Sequence, residues 1–375
     1  MNIHYLDNSA TTQVSKKSAE KALEIMTTKY ANPASLYNFG LDVEKEVSHA
    51  REVIANSLSV SDDEIFFTSG STESNNTVLF STAKKRRKDG NKIIVSSIEH
   101  SSVIESAKEL EESGFDVVYL PVNPDGTVSL DALSNAVDDK TILVSIMAVN
   151  NEIGSVNPID KIAKIVKSKS DAYFHCDAVQ AYGKITLKPQ KWGVDFMSVS
   201  GHKVHAPKGV GALYIKKGTK FSPLIFGGEQ QKKIRPGTEN SPCICAFGTA
   251  VEEFDIKNNF EYVSELNSYL REKLQNIDGV TINSPDNALP YLLNISAVGI
   301  KSETMLHFLS QYGVYVSSGS ACSKGKKSYV LSALGLNNDL IDSALRISFS
   351  KYNTKDDIDI LVQYLNEGIK TLSRK

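Results

Sequence analysis

Residues 172 to 180 read AYFHCDAVQ. The first five are aromatic, small or weakly polar and suit the interior of a sheet, and Asp177 comes directly after them. A carboxylate at the end of a buried strand is costly unless a cation meets it. That cation is either an Arg or Lys of the protein or a protonated ring nitrogen of a ligand. The same order, an apolar run and then polar residues, recurs on both sides of this stretch. The runs are EIFF (64–67), KIIVS (92–96), TILVSIM (141–147), VDFMSV (194–199) and GALYI (211–215), with amphipathic segments between them. Such alternation predicts an α/β fold with an open, mostly parallel central sheet flanked by helices.

The bulk numbers agree with a soluble globular protein: 375 residues, 41% hydrophobic and 23% charged. A formal net charge of -2 argues against direct nucleic-acid binding, which would call for a basic stripe or tail. The run KKRRK at 84–88 reads as the solvated end of a helix. The start, MNIHYLDNSATT, lacks a secretory pattern, and no window approaches a membrane span. Four cysteines in this length make no disulfide framework, so the cytoplasm is the expected compartment. The pair Cys243 and Cys245 reads as structural, because no nearby Cys/His pair completes a zinc set.

In parallel sheets ligands bind beyond the carboxyl ends of the strands. The polar residues just past each run are therefore informative: Ser71 and Thr72 after EIFF, His100 after KIIVS, Asn151 after TILVSIM, Asp177 and Gln180 after AYFHC, and Ser200, His202 and Lys203 after VDFMSV. The segment SGSTE would offer backbone N–H groups and hydroxyls at a helix start, where a phosphate binds well; it also reads as an N-cap box, and the two are compatible. His100 suits stacking on a flat ligand or proton transfer, or is an ordinary satisfied histidine. Lys203 is a surface lysine or, after an apolar strand, an amine kept neutral for imine formation. A phosphate cradle, a carboxylate for a ring nitrogen, a stacking His and an imine-forming Lys together describe pyridoxal 5'-phosphate.

YLDNSATT, NPAS (32–35), FTSGSTESNN, EH (99–100), NNEIG, DAVQ, SGHK, PKGVGALY, RPGTEN and SSGSACS occur in this order along nearly the whole chain. The ordered set resembles cysteine desulfurases, the NifS/IscS-like group of class V aminotransferase-fold enzymes. The resemblance implies a fold type I pyridoxal phosphate transferase with a large cofactor-binding domain over 15–255. A smaller α+β domain would combine 1–14 with 256–375 and carry the loop with Cys322. Lys203 would hold the cofactor as a Schiff base, Asp177 would face the ring nitrogen and His100 would stack on the ring. Asn151 and Gln180 would bond near the phenolic oxygen, with Asn151 also close to substrate. Ser71, Thr72, Ser200 and His202 would bind the phosphate, with Thr238 reaching in from the partner of a homodimer. Arg346, in ALRISFS, would grip the substrate carboxylate; on its own it reads as a surface Arg at a strand end.

The stretch SSGSACSKGKKS (317–328) holds Cys322 among small and basic residues that favour a thiolate. It is no phosphate-binding loop, because five residues separate Gly319 from Gly325 and Lys327 follows Lys326. By resemblance this thiol takes sulfur from L-cysteine as a persulfide, releases L-alanine and passes the sulfur to an acceptor protein. Iron–sulfur cluster assembly and tRNA or cofactor thiolation are the implied destinations, with Cys322 a transient cluster ligand at most and no resident metal. Lys324, Lys326 and Lys327 suit an acidic acceptor.

Two departures from the family pattern stand out. The approach to RPGT reads GGEQQKKI, so Lys232 and Lys233 stand where relatives carry more glycine. After Cys322 the chain is about two residues shorter than in long-loop relatives, which shortens an out-and-back loop by roughly one 3.3 to 3.6 Å step. The rival readings are a selenocysteine lyase or another lyase of the same fold, in which Cys322 would be dispensable, and a partner-activated sulfur-relay subunit.

Overall fold

The computed structural model of the protein describes residues 2–319 and 327–372, so Cys322, Lys324 and Lys326 lie outside the described residues. In chain order the strands are β1 (His4–Tyr5), β2 (Ile65–Thr68), β3 (Lys92–Ser96), β4 (Asp116–Leu120), β5 (Thr141–Ser145), β6 (Tyr173–Asp177), β7 (Phe196–Ser200), β8 (Gly211–Ile215), β9 (Val280–Ile282), β10 (Leu292–Ala297), β11 (Val314–Tyr315) and β12 (Ala344–Ser348). Strands β2 to β8 form one sheet in the order β2-β8-β7-β6-β5-β3-β4. The pairs β3–β4, β3–β5, β5–β6 and β6–β7 are parallel, whereas β8 is antiparallel to both β7 and β2. The expected sheet is therefore present, with Gly211–Ile215 as its reversed strand. β4 is the strand that the apolar runs did not reveal. It lies at the sheet edge, half exposed, and its pattern is correspondingly weaker.

Both faces of the sheet are covered, so neighbouring residues on a strand enter different cores. Ile93 and Val95 pack with Leu79, Val103 and Leu110, while Ile94 between them joins Val144, Phe174 and Met197. Because β2, β3, β5, β6 and β7 run the same way, their carboxyl ends open on one edge. The chain order also reverses about β3, the kind of switch point at which ligands bind.

Two smaller sheets bring the far end of the chain to that edge. β9, β10 and β12 pair antiparallel, and β1 pairs in parallel with β11. The residues after β1 then run along β12: the Ser9 N–H donates to Ser348 Oγ at 2.8 Å and Asn8 Nδ2 to the Ser348 carbonyl at 2.9 Å. Elsewhere, the helix Ser71–Arg86 ends inside KKRRK, where Arg86 and Arg87 lie over Tyr173 and Phe115. Cys243 and Cys245 lie on the helix Ser241–Glu252, the second of them buried. No helix among the described residues is long and apolar enough to cross a membrane.

Candidate active site

A cavity of about 240 Å³ opens at the carboxyl edge of the parallel strands. A water in the liquid takes roughly 30 Å³, so the space suits a substituted ring rather than a solvent molecule or two. Ser71 and Thr72 line it from beyond β2, His100 from beyond β3, Asn151 from beyond β5, Asp177 and Gln180 from β6, and His202 and Lys203 from beyond β7. Arg346 reaches the same cavity from β12. Two expected residues are not on its wall. Ser200 is buried at the end of β7, with its hydroxyl 3.9 Å from where a Cβ on Gly70 would lie. Thr238 is exposed and lines a separate cavity with Phe67, Ser69 and Gly237.

The helix Ser71–Arg86 starts after Gly70, which has φ 150° and makes no side-chain cap. Neither Ser71 nor Thr72 acts as the cap, so the N-cap reading of these hydroxyls is replaced by an open helix start. Gly211 on β8 permits the close crossing here, since a Cβ on it would lie 2.8 Å from the Gly70 Cα. The uncapped N–H groups and the positive end of a 16-residue helix are features that suit an anion.

Asp177 is 4% exposed. Its Oδ2 accepts from Asn75 Nδ2 at 2.8 Å and its Oδ1 from the Val179 N–H at 3.0 Å. Both donors are neutral, and Asp177 faces the cavity, where a cationic atom of a ligand could meet it. The same Asn75 Nδ2 donates to Ser102 Oγ at 2.9 Å, which leaves the Ser102 hydroxyl to donate to His100 Nδ1, also at 2.9 Å. His100 caps the helix Ser101–Glu112 by accepting from the Ser102 N–H, so its proton sits on Nε2. Burial holds this imidazole below its ordinary pKa, with Asp177 opposing and Lys203 adding to the shift. His100 is thus a neutral ring of fixed tautomer.

Lys203 ends the short turn Gly201–Lys203, and its Nζ donates to the carbonyls of Ser9 and Ala10 at 2.5 and 2.8 Å. Arg346 corrects the strand-end reading: it is the middle residue of β12 and only 2% exposed. Its Nη2 pairs with Asp7 Oδ1 at 2.9 Å and its Nη1 donates to the Asn151 carbonyl at 3.1 Å, while its Nε is buried without a partner. Burial pushes the Asp7 carboxyl up, against the pull of Arg346.

The chain matches the class-V aminotransferase family over residues 4–361. It is 41% identical over 373 residues to the cysteine desulfurase IscS of Methanosarcina thermophila, spanning 98% of this chain and 92% of that one. The chain belongs to the class-V aminotransferases, among the cysteine desulfurases. A solved NifS-like protein is 39% identical and superposes with a TM-score of 0.94 over 99% of this chain and all of the other. A solved SspA in complex with cysteine is 34% identical, with a TM-score of 0.84, over 93% of this chain and 99% of that one.

Among the residues of this desulfurase chain that strand-end reasoning missed, Asn75 orients both Asp177 and, through Ser102, His100. Asp7, Ser9 and Ala10 lie within the YLDNSATT motif but carried no assigned role. The QKKI segment (231–234) shows what its missing glycines cost: Gln231, Lys232 and Lys233 all take positive φ, at 48°, 54° and 67°. Gln231 Oε1 compensates by accepting from the Phe67 N–H at 2.9 Å and from Arg51 Nη1 at 3.0 Å.

Replacing Arg346 tests the cavity wall directly. Arg346→Ala leaves the Asp7 carboxylate and the Asn151 carbonyl without their donor, and is expected to destabilise the fold by about 3 kcal/mol. Thermal unfolding of the cofactor-free variant measures this. Arg346→Lys restores charge but not the two-pronged donor, so it should recover part of the stability while KM for an amino-acid substrate stays raised.

Proposed function

We propose that the protein is a pyridoxal 5'-phosphate-dependent cysteine desulfurase that converts L-cysteine to L-alanine and takes the sulfur on Cys322 as a persulfide. The observation that carries this reading is the convergence of Lys203, the buried Asp177 and the buried Arg346 on one cavity. The donor set fits the cofactor: an uncapped helix start with Ser71, Thr72 and His202 for a phosphate, and a carboxylate that among the described residues is held by neutral donors for a ring nitrogen. Ser200, behind Gly70, would support the phosphate side, and Thr238 would serve the second copy of a homodimer. Exposed Leu36, Tyr37 and Leu41 support a second copy, since such a cluster of apolar side chains calls for cover.

When bound, the cofactor supplies an aldehyde for amine linkage and a protonated ring that stabilises negative charge on substrate carbon. Asp177 keeps that ring nitrogen protonated, and Asn75 keeps Asp177 aimed. Arg346 has spare hydrogens on Nη1 and Nη2 after serving Asn151 and Asp7, and these bind the substrate carboxylate. Lys203 and the neutral His100 are the proton carriers. The Cys322 thiolate attacks the substrate sulfur: an S–S bond forms and the C–S bond breaks. The electron pair left on carbon takes a proton, so cysteine and one thiol become alanine and one persulfide.

The acceptor would be a scaffold for iron–sulfur clusters or a thiolation enzyme carrying acidic residues. Lys324, Lys326 and Lys327 are the basic candidates for such a contact, and Lys327 also donates to Asn338 Oδ1 at 2.9 Å. Three free thiols, Cys176, Cys243 and Cys245, suit a reducing cytoplasm. We also propose a large unit over 15–255 and a small one from 1–14 and 256–375, supported by the pairing of β1 with β11.

The test is the wild-type holoprotein with L-cysteine and a reductant. Alanine and sulfide released in equal amounts are expected. Sulfide with pyruvate in place of alanine would make the protein a β-eliminating lyase, and visible absorption of bound cofactor without turnover would favour the partner-activated subunit.

A further inference from the structure

One buried charge in this part of the fold has no role in the proposed reaction. Lys184 follows β6 by seven residues and is 7% exposed, among the least exposed lysines of the protein. A lysine is rarely buried without a task or a partner. Its Nζ donates to Gln180 Oε1 at 3.0 Å, and that is its one hydrogen bond among the described residues. The face of Tyr291 lies 5.5 Å from the same nitrogen. Burial pulls its pKa down to about 7, with Lys203 and Arg346 adding to the shift.

The consequence lies in Gln180. A side-chain amide has an acceptor end and a donor end, and packing alone scarcely distinguishes them. Here Oε1 takes the Lys184 hydrogen bond, so Nε2 must point the other way, where it donates to the Ser9 carbonyl at 3.1 Å. Nε2 has a second hydrogen, and Gln180 lines the cofactor cavity. In its protonated form the Lys184 ammonium has donors and no acceptor, so it rejects the flipped amide: two N–H groups would then face each other in a buried space. The Ser9 carbonyl that takes Nε2 is the one that also takes Lys203 Nζ. A single chain therefore runs from Lys184 through Gln180 and Ser9 to Lys203.

We propose that Lys184 is a positioning residue that locks the Gln180 amide with its donor end toward the cofactor cavity, so that Gln180 offers an N–H to an anionic oxygen of the bound ring. This rests on the reading of the cavity as a pyridoxal phosphate site. A lysine kept only to fill space would act on stability and leave the ring's electronic state alone. A lysine that orients Gln180 would change both cofactor affinity and the spectrum of the bound cofactor, and would do so only while Gln180 is present.

The experiment is a double-mutant cycle on the purified chain with pyridoxal phosphate itself as the probe. Lys184→Met removes the donor at nearly constant length. Lys184→Gln is the second variant, because its amide nitrogen falls one bond short of the ammonium position and a polar group is kept, so it serves if the methionine variant does not fold. Each is combined with Gln180→Ala. The dissociation constant and the pH midpoint of the visible band of the bound cofactor are measured, and thermal unfolding of the cofactor-free forms checks the fold. Either Lys184 change should weaken binding by about three- to tenfold, the worth of one oriented hydrogen bond, and shift the pH midpoint. In the Gln180→Ala background the same change should have little further effect. Equal effects in both backgrounds, or an unchanged dissociation constant and spectrum, would overturn the proposal. Failure of the wild-type chain to develop any visible band would instead overturn the cofactor reading beneath it.

Discussion

Lys203→Ala is expected to yield a folded protein that lacks the visible absorption of the lysine-bound cofactor and turns over L-cysteine about 10³-fold more slowly or worse. The position of the amine makes this the largest effect at the site. Lys203 stands one residue beyond His202 at the end of β7, and its Nζ is aimed by two backbone carbonyls, those of Ser9 and Ala10. Carbonyls cannot donate, so they orient the amine without competing for its lone pair when it is neutral. The alanine variant loses those contacts, yet Ser9 and Ala10 are tied to the fold independently, the Ser9 N–H bonding Ser348 and the Ala10 N–H bonding the Asp7 carbonyl. Stability should therefore change much less than activity. Lys203→Arg keeps the positive charge, which separates electrostatics from covalent linkage. It too should lack the band, because a guanidinium does not form the link at neutral pH. Absorbance of the purified variants reads the first outcome, and alanine release reads the second. A retained band in Lys203→Ala would put the link on another amine. Lys184 would be the first to examine, because it lines a smaller cavity together with Lys203.

The kind of sheet decides which site residues are legible in the sequence and which are not. In a parallel sheet each apolar run ends at the ligand edge, so His100, Asn151, Asp177 and Lys203 were legible among the polar residues that close or closely follow their strands. Each is local to a strong periodic signal. Asn75 was not legible, because it sits one turn into a helix among other polar residues, and only the fold brings it within 2.8 Å of Asp177, 102 positions away. The Arg346–Asp7 pair joins positions 339 apart, and no local pattern specifies which acid meets which base over such a span. The burial of Arg346 did leave a trace. Along β12 the apolar Leu345 and Ile347 alternate with Arg346 and Ser348, and the N-terminal segment covers that second face. Ser200 shows what position along a strand decides. It ends its apolar run just as Lys203 and its neighbours lie beyond it, but as the last residue of β7 it points behind Gly70 rather than into the cavity. β4 escaped notice because an edge strand needs only a weak apolar face.

Cys322→Ser is expected to keep cofactor binding and the visible band while alanine and sulfide formation from L-cysteine fall to background. Serine matches cysteine in shape but presents an alcohol, which at neutral pH is not ionised and cannot form a persulfide. Cofactor binding should survive because every residue assigned to it lies elsewhere in the chain. The described residues on either side of this segment meet one buried group. The Ser328 hydroxyl donates to Glu152 Oε2 at 2.5 Å, and a Cβ on Gly319 would lie 3.3 Å from the same oxygen. Glu152 adjoins Asn151 of the cavity wall, and burial raises its pKa. Both stems thus start beside the site, and the arm that returns from Cys322 to Ser328 is six residue steps long, a reach of at most roughly 20 Å. Within so short a tether, the two residues by which this chain falls short of long-loop relatives are a large fraction of the available span. Inserting two residues after Cys322 should therefore raise the rate of persulfide formation, measured by alkylation of the persulfide in a single turnover, and leave the absorption of the bound cofactor unchanged. An unchanged rate would remove tether length as the limit and shift attention to an acceptor that repositions the thiol. Turnover undiminished in Cys322→Ser would reject sulfur transfer through this residue altogether and assign the cavity to a lyase.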